Sequence, residues 1–246
     1  MTARRYYALD GIRGLALLNM IVYHAAWDLV YLFDIDLQWY QSKGAYIWQQ
    51  CICWTFIFLS GFCEPLGKKK LKRGVTVFSL GFLIVVATLI ALPQNRVRFG
   101  VLTLIGSCML LMIPAEKVLQ KCRPLHGLIF SITLFLLTKN INQGYLGFSN
   151  WNLLPLPDSW YHNFATTYLG FPMPGFHSVD YFSLLPWVFL YSAGYFTHQL
   201  FTHCKLLPNL ESSKAEPLEW IGRHSLGLYM IHQPLLYFLF TALYAL

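Results

Sequence analysis

Long apolar blocks constrain the fold of this chain more than any other feature of its sequence. Each is close to the roughly 20 residues that a helix needs to cross a bilayer, and backbone groups in lipid must bond within the segment, which favours helices. Charged residues make up only 12% of the chain, against about 25% in an average soluble domain. The sequence therefore predicts an all-α integral membrane protein, one bundle domain over residues 1–246 with about seven transmembrane helices. The blocks run over residues 8–33, 45–64, 74–93, 99–115, 125–139, 179–200 and 221–245.

The region 140–178 differs from the blocks on either side of it. It contains four prolines together with many glycines and asparagines, and proline interrupts a helix interior. We expect a long loop that holds a half-helix around 161–171. The aromatic side chains of this loop fit two uses, stacking on sugar faces or anchoring at the membrane interface, and the sequence leaves both open.

The positive charges predict the orientation of the chain, because cytoplasmic connections of membrane proteins are enriched in lysine and arginine. With the N-terminus inside, thirteen of these residues fall in inner segments and four in outer segments. We therefore expect a cytoplasmic N-terminus, with the loop 140–178 and the C-terminus outside. The thirteen are Arg4, Arg5, Lys68, Lys69, Lys70, Lys72, Arg73, Lys117, Lys121, Arg123, Lys205, Lys214 and Arg223, and the four are Lys43, Arg96, Arg98 and Lys139.

The net charge of +7 does not indicate a nucleic-acid partner in this chain. The basic residues sit in short connections between apolar blocks, so they report topology and not a solvated binding face. The six cysteines lie within or beside apolar blocks and lack the paired spacing of zinc sites. We interpret them as small buried apolar residues, and we expect no metal.

The first apolar block carries four ionisable side chains, Asp10, Arg13, His24 and Asp28. Arg13 and His24 are 11 residues apart, which on an α-helix puts them on one face about 16 Å apart along the axis. Asp10 precedes Arg13 by three residues, and Asp28 follows His24 by four, so each pair can meet on its own helix. Ionisable groups within a span usually face the bundle interior or a water-filled cavity.

This pattern is typical of a site for acid–base chemistry. A neutral imidazole beside a carboxylate is a ready proton acceptor, so His24 is the candidate general base and Asp28 the residue that orients it. Arg13, near the cytoplasmic mouth, suits the phosphates of a cofactor. Structural roles stay open: Arg13 can form an interfacial ion pair with Asp10. His24 can serve as an interhelical hydrogen bonder, and Asp28 can be solvated at the outer interface.

Further candidates lie in the later blocks. His232 is about halfway along the last block, and Arg223 opens that block on the inner side; we assign both to cofactor binding, with a core hydrogen bond and a topology role as the alternatives. Arg96 and Arg98 break the positive-inside pattern, which indicates an anionic substrate or a structural pair with a carboxylate. Asp180 starts the sixth block, where it can bind sugar hydroxyls or complement the helix dipole.

Several motifs resemble known membrane acyltransferases. Two motifs resemble the acyltransferase-3 family. The first is an arginine followed after ten residues by a histidine, Arg13 and His24, in a span that begins LDGIRG, and the second is WTFIFLSGF at 54–62. The remaining motifs resemble the catalytic-domain family of heparan-α-glucosaminide N-acetyltransferase and its small bacterial relatives. These motifs are RFGVLTLIG (98–106), DYFSLLPWVFLYSAGY (180–195) and WIGRHSLGLYMIHQPLL (220–236).

The resemblance implies an acetyltransferase of the bacterial inner membrane that moves acetyl from cytoplasmic acetyl-CoA to an amino or hydroxyl group of a sugar or glycan. In the lysosomal enzyme of the family, the position matching His24 is an amide, and the catalytic histidine lies in the following loop. This chain has no histidine between residues 25 and 125. The resemblance therefore implies that His24 carries the role here, as in the acyltransferase-3 pattern.

Two other function classes stay open. A proton-coupled small-molecule transporter would use Arg13, His24 and His232 as a relay, but the sequence shows no internal repeat and no paired broken helices. A non-catalytic scaffold would leave His24 and Arg13 without a role. The sequence does not name the acceptor or the oligomeric state, and a homo-oligomer is compatible with it.

Overall fold

The structure, a computed structural model, describes residues 5–212 and 215–244. Within these ranges the chain is mostly helical, as predicted, and forms one two-stranded antiparallel sheet. Two of the thirteen basic residues assigned to inner segments, Arg4 and Lys214, lie outside the described residues. The helices are α1 (Tyr7–Tyr31), α2 (Lys43–Phe62), α3 (Lys70–Ala91), α4 (Val101–Leu119), α5 (Pro124–Leu137), α6 (Phe164–Leu169), α7 (Trp187–His203), α8 (Glu216–Arg223) and α9 (Ser225–Tyr244), and the strands are β1 (Tyr145–Phe148) and β2 (Trp151–Pro155).

Every predicted apolar block contains an α-helix. Four described segments are long and apolar enough to cross a bilayer, which confirms a helical membrane protein. The count of seven spans and the cytoplasmic N-terminus stay predictions. The four segments are Lys70–Ala91, Val101–Leu119, Pro124–Gln143 and Ser225–Tyr244.

The contacts divide the chain into two compact units. Unit 1 consists of residues 1–56 and 201–246, and unit 2 of residues 57–200. Helices α2 and α7 run from one unit into the other. The division does not test the prediction of a single domain, which stays a prediction.

In unit 1, helix α8 touches α1 through the backbone. A Cβ atom on Gly14 would lie 2.0 Å from the carbonyl oxygen of Leu218, and one on Gly222 would lie 1.8 Å from that of Asp10. The composition of α8 favours a short helix, with a proline and two glutamates in its first turn and an arginine in its last. Two glycines therefore allow α8 to lie directly against the N-terminal half of α1.

Further along α1, unit 1 has an apolar core between α1, α2 and α9. Leu17, Met20 and Ile52 are buried there, and Tyr229 of α9 packs against them. Asn19 accepts a 2.9 Å hydrogen bond from the indole of Trp48 on α2, so it faces another helix. This core holds α1 and α9 side by side.

In unit 2, helices α3 and α4 pack closely through glycines. A Cβ atom on Gly81 would lie 2.6 Å from the amide nitrogen of Thr103, and one on Gly106 would lie 2.5 Å from that of Phe78. Small residues permit such close helix packing in membranes, where apolar burial alone does not drive association. Much of the remaining surface of α3 is exposed and apolar, as expected for a face in contact with lipid.

The loop 140–178 is more ordered than the sequence predicts. The expected half-helix is α6, but strands β1 and β2 form a hairpin that the sequence analysis missed. Buried Asn140, just after α5, holds the hairpin: its backbone amide donates to Gly147 O at 3.0 Å, and its side-chain amide donates to Ser149 O and to the Asn152 side chain. The hairpin is therefore fixed to the end of α5.

Helix α7 begins at Trp187, so the predicted start of the sixth block at 179 is wrong. Proline disfavours helical geometry in the residue before it, and Pro186 precedes the helix. The amides of Leu184 and Leu185 donate instead to the carbonyls of Tyr168 and Leu169 in α6, at 2.8 and 2.9 Å. The preceding residues, including Asp180, therefore lie in a non-helical segment.

Candidate active site

The centre of the candidate site is a pair of histidines in unit 1. His24 on α1 and His232 on α9 place Nδ1 and Nε2, respectively, 2.7 Å apart. The two rings lie edge to edge and nearly coplanar, with centroids 5.0 Å apart and an angle of 15° between their planes. His232 is 7% exposed, and its own Nδ1 lies 2.6 Å from the carbonyl oxygen of Tyr229. The structure thus joins His24 to His232, which the sequence analysis had assigned to cofactor binding.

Asp28 does not bond to His24, so the predicted pairing of these two residues is wrong. Its Oδ1 accepts a 2.5 Å hydrogen bond from the side-chain amide of Gln233, and the Asp28 side chain is completely buried. The i, i+4 spacing brings two side chains onto one helix face, but α9 offers each of them a closer partner. Burial also argues against the alternative of a solvated Asp28.

Arg13 forms the ion pair that the sequence left open as its structural role. Its NH1 group lies 3.3 Å from Asp10 Oδ1, and the Nε of Arg5 lies 3.0 Å from Asp10 Oδ2. The Arg13 side chain is 26% exposed, so it is still accessible to an anion. Because α1 is one continuous helix, the rise from Arg13 to His24 stays about 16 Å.

Arg223 lies at the end of α8 and is exposed. Its Nε donates to the carbonyl oxygen of Glu219 at 3.3 Å, a favourable position for a cation at a helix C-terminus. The adjacent Gly222 contacts the backbone of Asp10. Arg223 and Arg13 are therefore at the same end of α1, whereas His232 lies with His24.

In unit 2, Asp180 lies in the non-helical segment before α7 and caps helix α4. Its Oδ2 is 3.3 Å from the amide nitrogen of Val101, the first residue of α4. The sequence analysis expected Asp180 to complement the dipole of the helix that follows it. In the structure Asp180 complements the dipole of α4 and not that of α7. Burial raises the pKa of Asp180 to about 6, and the bond from Val101 opposes this rise.

Arg96 and Arg98 lie beside the segment that holds Asp180. The carbonyl of Arg96 accepts from the amide of Val179 at 3.3 Å, and the amide of Arg98 donates to the Ser178 hydroxyl at 2.8 Å. The guanidinium of Arg98 lies over the ring of Phe164, 5.5 Å from its centroid. The structure thus brings the three predicted substrate residues together, and two of them, Asp180 and Arg98, also have side-chain contacts within unit 2.

Comparison with protein families identifies a match that covers both units. Residues 5–234 match the model of the family described as heparan-alpha-glucosaminide N-acetyltransferase, catalytic. The chain belongs to this family. Comparison with curated proteins and with solved structures found no match. Membership of the heparan-alpha-glucosaminide N-acetyltransferase family indicates a membrane acetyltransferase that acts on sugars.

The part of the chain that matches the heparan-alpha-glucosaminide N-acetyltransferase family includes all the residues proposed from the sequence and two that sequence reasoning missed. Gln233 binds Asp28, and the carbonyl of Tyr229 binds His232. Gln233 follows His232 directly, and a polar pair within an apolar block is a usable signal. No side-chain pattern marks the Tyr229 carbonyl, since every residue has one.

A second buried polar cluster lies in unit 2, and the sequence analysis did not detect it either. Glu64 is 1% exposed and accepts a 2.8 Å bond from the hydroxyl of Tyr191. Lys70 lies 4.0 Å from Glu64 and 2.5 Å from Glu116. Among the described residues, no group of three or more His, Cys, Asp and Glu side chains is arranged to hold a metal ion.

Proposed function

We propose that the protein transfers an acetyl group from cytoplasmic acetyl-CoA to an amino or hydroxyl group of a sugar, with His24 as the general base. The observation that carries this proposal is the histidine pair on α1 and α9. His24 Nδ1 is engaged with His232, and His24 Nε2 has no hydrogen-bond partner among the described residues. A half-buried imidazole with one engaged and one available nitrogen is suited to proton transfer.

The reaction needs only one proton-transfer group. As the acceptor nitrogen or oxygen attacks the thioester carbonyl carbon, His24 Nε2 takes the proton that the acceptor loses. When the tetrahedral intermediate collapses, the carbon–sulfur bond breaks and the electron pair leaves on sulfur. The His24 imidazolium then gives its proton to the thiolate, so that CoA leaves as the thiol and His24 is neutral again.

Arg13 and Arg223 are proposed to receive the phosphates of CoA. They lie at the same end of α1, both retain exposed surface, and guanidinium groups bind phosphate through paired hydrogen bonds. The rise of about 16 Å between Arg13 and His24 is of the order of an extended pantetheine arm. In this proposal the arm follows α1, and the thioester reaches the histidine pair.

The acceptor is proposed to contact the group formed by Arg96, Arg98 and Asp180. The cation at Arg96 suits an anionic substituent on a sugar, and a carboxylate such as Asp180 can accept from sugar hydroxyls. The capping bond from Val101 and the contact of Arg98 with Phe164 are compatible structural roles. Substitution of Arg96 by Gln tests this part of the proposal, with a selective rise in the KM for the acceptor as the expected result.

The same histidine pair also supports the second candidate, a proton-coupled transporter, because two hydrogen-bonded imidazoles can pass a proton between helices. Transport and transfer differ in their requirement for acetyl-CoA. Proton movement that depends on solute but not on acetyl-CoA, measured in liposomes, would favour the transporter.

The experiment that tests the proposed function uses the full chain in lipid nanodiscs with acetyl-CoA and a panel of amino sugars. CoA release and acetylated product are measured together. Release that depends on an acceptor and falls at least about 100-fold in His24→Gln supports the proposal. His203→Gln, at an exposed histidine of α7, is the matched control and should keep full activity. Absence of both CoA release and acetyl-CoA binding in the wild type would contradict the proposed function.

A further inference from the structure

We propose that His232 is a positioning residue that holds His24 as the tautomer with a proton on Nδ1 and a lone pair on Nε2. The spacing along α1 predicts this orienting role for Asp28, which is instead bonded to Gln233. The tautomer assignment follows from geometry alone. Its catalytic consequence rests on the proposed function, in which Nε2 takes the proton of the acceptor.

The assignment begins at the backbone of α9. A carbonyl oxygen can only accept a hydrogen bond, so the His232 Nδ1 that lies 2.6 Å from Tyr229 O must carry a hydrogen. A neutral imidazole carries only one N–H. The Nε2 of neutral His232 is therefore an acceptor.

The short distance between the two rings then fixes the proton of His24. Two nitrogens 2.7 Å apart share one hydrogen. Since His232 Nε2 accepts, His24 Nδ1 must donate, and the lone pair of neutral His24 is on Nε2. This is the nitrogen that has no partner among the described residues.

The opposite arrangement requires a charge. For His24 to accept at Nδ1, His232 would have to carry hydrogens on both nitrogens and become an imidazolium. A buried charge at this depth is costly unless it is paired, and His232 has no ion pair with a carboxylate among the described contacts; nearby Asp28 is bonded to Gln233. Two neutral rings satisfy the same geometry without that cost.

The arrangement resembles the role of the carboxylate in a catalytic triad, but the orienting group is neutral. His232 selects the ring orientation and the tautomer, and the Tyr229 carbonyl fixes the tautomer of His232 in turn. A neutral orienting group adds no charge to a site within the membrane. His232 acts through His24 and has no direct contact with substrate in this proposal.

The first test reads the tautomer without any substrate. The full chain is labelled with ¹⁵N-histidine in nanodiscs, and the His24 ring signals are identified from the spectrum of His24→Gln. We expect a protonated Nδ1 and a bare Nε2 on His24, and a loss of that preference in His232→Phe. His203→Phe is the control and should leave the signals unchanged. A wild-type His24 that carries its proton on Nε2 overturns the proposal.

The second test separates positioning from packing. His232→Phe keeps the ring shape but removes the acceptor, whereas His232→Gln retains an oxygen that can accept from His24 Nδ1. We expect kcat to fall about 100-fold in His232→Phe, with the KM for acetyl-CoA unchanged and much of kcat restored in His232→Gln. A glutamine variant as slow as the phenylalanine variant, or a change in KM alone, overturns the positioning role.

The two tests also separate this inference from the proposed function. If no sugar accepts acetyl from the wild type, the proposed function fails while the NMR spectrum still decides the tautomer. If His232→Phe does not fold, the wild-type spectrum remains decisive, because it needs no variant at that position.

Discussion

The contact between α1 and α8 provides a sensitive test of the packing of unit 1. In Gly222→Ala, the new Cβ would lie 1.8 Å from the carbonyl oxygen of Asp10, about 1.6 Å short of the 3.4 Å at which ordinary contact begins. The obstacle is backbone and cannot rotate away, so the helices must separate. Overpacking of this kind costs up to about 3 kcal/mol, which in a chain of this length lowers Tm by roughly 6–12 °C.

The measurement is thermal unfolding in detergent followed by tryptophan fluorescence. Gly227→Ala is the matched control, because Gly227 lies in α9 and a Cβ there meets nothing within 4 Å. Alanine is the better helix former by up to about 1 kcal/mol, so this variant should equal or exceed the Tm of the wild type. A Gly222→Ala protein as stable as the wild type would refute the backbone contact between α1 and α8.

Three further predictions concern unit 2. Because burial raises the pKa of Asp180 from 3.8 to about 6, the folded state binds this proton more tightly than the unfolded state, and stability should fall as pH rises from about 4 to 6. Asp180→Asn should flatten that part of the Tm–pH curve, and an unchanged curve would contradict the assignment. Tyr191→Phe should lower stability by about 1–3 kcal/mol in chemical unfolding, because it removes the donor to buried Glu64, whereas Tyr46→Phe at an exposed position should have no measurable effect. Trp151 is 78% exposed on the hairpin, and we expect it to lie at the membrane interface. Brominated lipids should therefore quench a smaller fraction of the tryptophan fluorescence in Trp151→Tyr than in the wild type. Equal quenched fractions would favour a role for Trp151 away from lipid.

The helices could be predicted from the sequence because the requirement that lipid imposes is local. A run of about 20 apolar residues must bond its own backbone, whatever surrounds it, and every predicted block contains a helix. The predicted start of α7 is too early because the apolar run begins several residues before Pro186. The hydrogen-bond partners of those preceding residues lie in α6, which the sequence does not reveal. The hairpin was missed because its strands do not alternate between apolar and polar residues, and β2 is exposed along its whole length.

The candidate site could be predicted only in part. The ionisable residues of α1 were found because charge in an apolar helix is costly and conspicuous. Their partners could not be derived, since spacing along one helix says nothing about which other helix packs against it. His24 and His232 are 208 positions apart, and only the packing of α9 against α1 makes them neighbours. Because of the same packing, Asp28 forms its hydrogen bond with Gln233 and not with His24.

The proposed role of His24 as the base of an acetyl transfer is best tested by comparing the wild type with His24→Gln in nanodiscs. The measured quantity is the rate of acetylated sugar formation from acetyl-CoA at saturating concentrations of both substrates. We expect acceptor-dependent product in the wild type and a loss of at least about 100-fold in the variant, while acetyl-CoA binding is retained in both. A wild-type rate in His24→Gln would contradict the role of His24 as the base.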